Sequence, residues 1–172
     1  FGGADTWATS FTLAAAIPKL NYDLIITRRQ AIDGDTAQVG PQIAEHLKLP
    51  SVSYVEGIQV KDGHLIVKRQ YEDRYHMIKV HFPCLITALS ELNEPRYMTP
   101  GGVFDAYREK EITVWTLEDL DVDRTQIGLK GSPTKVYKSF AKQLKPAGTV
   151  LTLDPEEAAS YLVEKLKEKH IL

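Results

Sequence analysis

The run Arg28-Arg29-Gln30-Ala31-Ile32-Asp33-Gly34-Asp35-Thr36-Ala37-Gln38-Val39-Gly40 leaves the end of a predicted strand and enters a predicted helix. The first amides of a helix lack intrahelical acceptors and carry the positive end of its dipole, so backbone N–H groups there can hold a phosphate, with Thr36 Oγ as a further donor. Gly34 permits a close backbone approach. The same residues also suit a plain helix start, with Asp35 and Gln38 as a capping box. Two carboxylates repel a phosphate unless Arg28 and Arg29 offset them, so both readings stand on the residues alone.

The opening Gly2-Gly3-Ala4-Asp5-Thr6-Trp7-Ala8-Thr9 is a second loop entering a helix, with two hydroxyls in its first turn. It could face a ligand, or it could be an Asp cap with Trp7 packed inward. The sequence contains no GxSxG, Walker, GxGxxG or HExxH pattern. His76 and His81, five apart on a predicted strand, point to opposite faces. Cys84, just after Pro83 at a strand start, is read as a small buried hydrophobe. The Lys/Glu alternation over Glu164 to Lys169 reads as the solvated face of the last helix.

The elements that must position these residues follow from periodicity. Asp5 to Leu20 is predicted helical, and Tyr22 to Thr27 is a short buried-type strand. A second helix is expected from about Thr36 to Leu47, with Val39, Ile43 and Leu47 on one face. Beyond Pro50 apolar residues alternate, and Lys61-Asp62-Gly63 marks a hairpin turn followed by Leu65 to Tyr71. Further strands are expected at Tyr75 to Phe82 and Leu85 to Leu89. Asn93 to Gly102 reads as a loop and Val103 to Lys110 as a short helix. Asp123 to Leu153 has little periodicity and reads as an extended arm, although it carries Val136, Tyr137, Phe140 and Leu144. The final helix starts at an Asp154 cap with Pro155 in its first turn, and Ala158, Leu162 and Leu166 form its expected buried stripe.

The chain has 172 residues, 43% of them hydrophobic, which is enough for one domain with a proper core. Its formal charge of -2 gives no cationic field of the kind nucleic-acid binding needs, so nucleic acid is not an expected partner. One cysteine excludes an internal disulfide framework and suits a reducing cytoplasm. No apolar run approaches the ~20 residues that span a bilayer, so membrane insertion is not expected. The chain begins Phe-Gly-Gly without an initiator Met and is read as a fragment.

Three stretches occur together and in order: Arg29 to Gly40, the Arg69 to Thr87 hairpin ending Pro83-Cys84-Leu85-Ile86-Thr87, and Leu92-Asn93-Glu94-Pro95-Arg96-Tyr97. In combination they closely resemble the electron-transfer flavoprotein beta subunit, over nearly the whole chain. The resemblance implies a doubly wound, Rossmann-like α/β domain for adenine nucleotides, with a β-hairpin excursion. It divides the chain into 1–122, the C-terminal part of that domain, and 123–172, an arm and helix contacting an alpha subunit. A strand–helix–strand portion is expected upstream, so the chain looks N-terminally truncated.

Members of the family hold either AMP or a second FAD in this subunit, the latter in flavin-based electron bifurcation. The opening ten residues and Gly34-Asp35-Thr36-Ala37-Gln38-Val39 resemble the FAD group. By that resemblance Asp5, Thr6 and Thr9 lie near a flavin and Asp33, Gly34, Asp35, Thr36, Ala37, Gln38 and Val39 near the diphosphate, with Arg28 and Gln30 in the same cofactor-binding set. Arg28 stands where the family usually has Gly, which adds a cation near the phosphates. No residue is expected to act as acid, base or nucleophile, redox chemistry belonging to the flavin. The implied partners are the alpha subunit and a flavin-dependent dehydrogenase, with NADH or ferredoxin reached through the complex. The loop after Tyr97 lacks the Leu and Lys-rich helix of relatives serving acyl-CoA dehydrogenases, so a different flavin dehydrogenase is expected.

Overall fold

Cys84–Ala88 is apolar at almost every position because it runs through the middle of a sheet, where both faces of a strand are covered. We describe this protein from a computed structural model covering residues 2–141 and 148–172. Its chain divides into two units, Phe1–Lys135 and Val136–Leu172.

The first unit is a mixed α/β fold around one five-stranded sheet. The strands are β1 (Leu24–Arg28), β2 (Ser51–Lys61), β3 (His64–Gln70), β4 (Tyr75–His81) and β5 (Cys84–Ala88), in spatial order β1-β5-β2-β3-β4. The β1, β5 and β2 strands run parallel, and β2, β3 and β4 form an antiparallel meander. The β2–β3 turn has Asp62 at φ 47° and Gly63 at φ 75°, the paired left-handed conformation that matches strand twist and that Asp-Gly favours.

Helices α1 (Thr6–Ala16) and α2 (Val39–Leu47) pack together, and α2 lies on β5. Period-two alternation gives β5 two cores: Leu85 joins Ile43 and Ala44 of α2, while Cys84 and Ile86 join Val52, Val55, Leu65, Val67 and Val80. Cys84 is fully buried, and burial pushes its thiol pKa up, as suits a packing residue. His76 lies against Tyr71 and His81 against His64, each next to its cross-strand neighbourhood.

Several boundaries differ from expectation. The second helix starts at Val39 and not Thr36, because Asp35 (φ 50°) and Ala37 (φ 53°) adopt left-handed conformations that no helix accommodates. The helix after Tyr97, α3, runs Pro100–Glu109, so Pro100 to Gly102 are helical: Pro100 occupies its first turn and Thr99 caps it, accepting from Gly102 N at 3.1 Å. A one-turn helix α4 (Gly128–Gly131) follows within the stretch read as an arm.

The second unit carries α5 (Pro155–Glu168), with Pro155 in the first turn as expected. The expected cap and stripe are corrected: Asp154 makes no side-chain cap bond, and Leu162 is 60% exposed. Of the apolar arm residues, Val136, Tyr137 and Phe140 are exposed, and Leu144 lies outside the described residues. No helix among the described residues is long and apolar enough to cross a membrane.

Candidate functional site

Beyond the carboxyl end of β1 the chain crosses to the start of α2, and a cleft of about 530 Å³ opens between this connection and α1. Of the residues singled out by sequence, Thr9, Arg28, Gln30, Asp33, Thr36, Ala37, Gln38 and Val39 line it. Open α/β sheets characteristically place ligands at such strand ends.

The expected Asp35/Gln38 capping box does not form. Gln38 is the N-cap residue of α2 but makes no side-chain cap bond; its Oε1 accepts from Thr6 Oγ1 at 3.0 Å, tying the first turn of α1 to the start of α2. Asp35 does not line the cleft; it accepts from Gln30 Nε2, while its own amide donates to Ala31 O at 3.1 Å. Gly34 is not in a positive-φ conformation, and a β-carbon there would meet nothing within 4 Å; the left-handed positions are its neighbours Asp35 and Ala37. Thr36 lies before the helix, so its hydroxyl is a loop donor and not a first-turn one. Pro41 lacks an N–H, which leaves Val39 and Gly40 as the first-turn amides without intrahelical acceptors.

The sequence did not reveal the cleft's floor. Thr27 Oγ1 is buried and has no hydrogen-bond partner among the described residues, and a β-carbon on Gly40 would stand 2.5 Å from it. Gly40 therefore lets the start of α2 descend onto β1, and an orphaned hydroxyl remains in the wall of the cleft. Leu13, Ile32 and Ile43 supply an apolar side. Alternation along Leu24 to Arg28 was the one available signal for Thr27, because it sets that residue beside inward-facing Ile25.

At the other loop, the capping reading of Asp5 holds. Asp5 Oδ1 accepts from Ala8 N at 3.0 Å, and Oδ2 accepts from Thr134 N at 2.9 Å and Thr134 Oγ1 at 2.8 Å. Asp5 N donates to Ser132 Oγ at 2.8 Å. Burial pushes the Asp5 carboxyl up, but the hydrogen bonds from Ala8 and Thr134 outweigh it and hold the pKa below the usual carboxylate range. Its oxygens are thus engaged within the protein, and neither Asp5 nor Thr6 lines the cleft. Trp7 is not packed inward: it is 40% exposed and meets the His46 ring at 4.8 Å.

Residues 1–120 match the family model described as the electron transfer flavoprotein domain. Over 172 residues the chain is 54% identical to a Clostridium acetobutylicum protein named electron transfer flavoprotein subunit beta, covering all of this chain and 66% of that one. It is 55% identical to the Acetobacterium woodii caffeyl-CoA reductase-Etf complex subunit CarD, again over all of this chain and 66% of the relative. An Anaerotignum propionicum protein named acryloyl-CoA reductase electron transfer subunit gamma is 47% identical, with 100% and 67% covered. The chain thus spans about 66% of the length of the first two relatives.

Proposed function

The chain belongs to the electron transfer flavoprotein family, as a member of its beta-subunit type, and from that premise we propose that the cleft between β1, α1 and α2 holds an adenine dinucleotide, FAD. The carrying observation is the Thr27 hydroxyl, buried beneath Gly40 on a residue that lines the cleft and without a partner among the described residues, since a buried polar group without a partner costs ~1–3 kcal/mol until something satisfies it. A cleft of about 530 Å³ lies within the ~300–1,000 Å³ range of cofactor sites.

In this reading the amides of Val39 and Gly40 and the hydroxyls of Thr36 and Thr27 donate to phosphate oxygens. Arg28 offsets the Asp33 carboxylate, and Leu13, Ile32 and Ile43 shield one wall from water. The Thr6–Gln38 hydrogen bond holds α1 and α2 at the spacing that leaves the cleft open. When bound, the flavin supplies the electron transfer, and the chain contributes binding, orientation and electrostatics.

The subunit functions in a heterodimer with an alpha subunit, passing electrons between an NADH or ferredoxin couple and a partner flavoenzyme. Two relatives are named for reductases of CoA esters, which favours a CoA-ester reductase as that partner, whereas the loop led to the expectation of a flavin dehydrogenase other than the acyl-CoA type. Its docking face is α3, where Phe104 and Tyr107 are exposed and do not fold back onto the sheet. Cofactor content of the full-length heterodimer tests the reading. Two flavins per heterodimer support FAD in this cleft, and one flavin plus one AMP would replace it with the structural, AMP-holding subunit.

A further inference from the structure

A second cleft, of about 720 Å³, lies between β2 and the β3–β4 turn and is lined by Arg29, Tyr54, Arg69, Tyr71 and the Glu72–Arg74 turn. Its backbone is unusual. Tyr54 has φ 57°, a conformation that aromatic residues rarely adopt, and it sits where β2 shifts register against β5 between Val52 and Val55. The Tyr54 amide is held by Thr87 Oγ1 at 3.0 Å, and a second register shift against β3 follows between Val55 and Gly57. Strain of this kind persists only when the surroundings enforce it, and here it sets the Tyr54 ring in the cleft, with the Arg29 guanidinium 5.8 Å from its centroid.

Arg29 is fixed from its own side. Its amide donates to Ala88 O at 3.1 Å and its Nε to Gln30 Oε1 at 2.8 Å. Arg69 lies over the Tyr71 ring at 4.9 Å, and its Nε is buried without an acceptor among the described residues. Glu72 and Asp73 share the cleft, but Asp73 engages Arg74 at 3.3 Å, and no carboxylate lies within ion-pair distance of Arg29 or Arg69 among the described residues. Two guanidiniums are thus set beside aromatic faces in one cleft, neither of them in an ion pair among the described residues. A guanidinium held over a ring still offers its in-plane N–H fork, the geometry that takes two oxygens of one planar or tetrahedral anion.

We propose that this cleft is an oxyanion site in which Arg29 and Arg69 grip a carboxylate or phosphate group. The anion is either a small phosphate species or a carboxylate side chain of the partner subunit, the same chemistry from two sources. Arg29 borders both clefts, but Arg69, Tyr54 and Tyr71 have no part in lining the nucleotide cleft, so the site extends beyond it.

The test uses the full-length, cofactor-loaded heterodimer as wild type, Arg69→Gln, Arg69→Lys and Tyr71→Leu. Pyrophosphate is titrated by calorimetry, and subunit dissociation is measured separately at low and high salt. With a small anion as source, pyrophosphate binds the wild type, Arg69→Gln weakens it about tenfold or more, and Arg69→Lys recovers part of the loss. With the partner's carboxylate as source, pyrophosphate does not bind, and Arg69→Gln raises the dissociation constant about tenfold at low salt, less at high salt. Tyr71→Leu reproduces the weaker half of either effect should Arg69→Gln fail to fold. Bound-cofactor content stays at the wild-type level throughout, which separates this site from the nucleotide cleft. Unchanged pyrophosphate titration and unchanged subunit affinity in every folded variant overturn the proposal.

Discussion

A β-carbon on Gly40 would stand 2.5 Å from Thr27 Oγ1 and 3.0 Å from Thr87 Cγ2, so the first turn of α2 rests on two threonines of adjacent strands with no room to spare. Gly40→Ala must lift the helix or displace Thr27. Overpacking of this kind costs ~1–3 kcal/mol, and the expected result is a lower melting temperature together with reduced cofactor content. A variant that melts like the wild type and retains its full cofactor would show that the contact is not tight in solution.

Thr27→Val separates fold from ligand. The replacement is close to isosteric and removes a buried hydroxyl that has no partner among the described residues. The cofactor-free protein is therefore expected to gain roughly 1 kcal/mol in a denaturant melt, while cofactor affinity falls about fivefold or more from the lost hydrogen bond. If stability and affinity move in the same direction, Thr27 is a packing residue only.

Asp5 links the start of α1 to Thr134 across 129 residues of sequence, and its carboxyl is held below its ordinary value of 3.8. A depressed carboxyl contributes stability above the unfolded pKa and loses it as pH falls through the folded one. Protection of the Thr134 amide from hydrogen exchange should then be constant from pH 7 to about 5 and disappear only below 3.8. Asp5→Ala should lose that protection at every pH and cost ~1 kcal/mol through the missing helix cap. Loss of protection in the wild type near pH 6 would contradict the assignment.

What was legible in the sequence depended on local pattern. The apolar run at Leu85, the Asp62-Gly63 turn, the Asp5 cap and Pro155 each impose a conformation through their own chemistry, and each element lies where that chemistry puts it. Thr99-Pro100 was equally local, but the glycines that follow masked it as a loop. The tie from Asp5 to Thr134, the orphaned Thr27 hydroxyl and the bulged Tyr54 depend on contacts between distant segments, which spacing does not encode. The left-handed residues of the cleft loop are Asp35 and Ala37 and not Gly34, the residue whose type adopts that conformation most readily.

That geometry sets the order of substitutions in the loop. Gly34 needs no special φ and has open space around its α-carbon, so Gly34→Val should change stability by no more than ~0.5 kcal/mol. Ala37 at φ 53° already bears the cost of a left-handed β-carbon, ~1–2 kcal/mol, so Ala37→Gly should stabilise and Ala37→Val destabilise by about that amount. Thermal melts of the three variants rank them directly, and a Gly34→Val loss larger than that of Ala37→Val would refute the loop geometry.

The exposed face of α3 yields a prediction about electron transfer to the partner. Phe104 is 58% and Tyr107 88% exposed, and Arg108 lies 5.2 Å from the Phe104 ring centroid, so both aromatics are presented outward with no apolar neighbour burying them. Aromatic side chains of this kind commonly dominate interface energies, and their truncation costs ~2 kcal/mol or more when they reach a pocket on the partner. The charges around them are mixed, Asp105 and Glu109 beside Arg108 and Lys110, so steering by a single-sign field is not expected and salt should alter docking only weakly. Phe104→Ala is therefore expected to slow electron transfer to a CoA-ester reductase about thirtyfold in kcat/KM, with flavin content and melting temperature unchanged. A large fall in melting temperature with normal transfer per folded molecule would place Phe104 in a core that the full-length assembly completes, and the docking role would be abandoned.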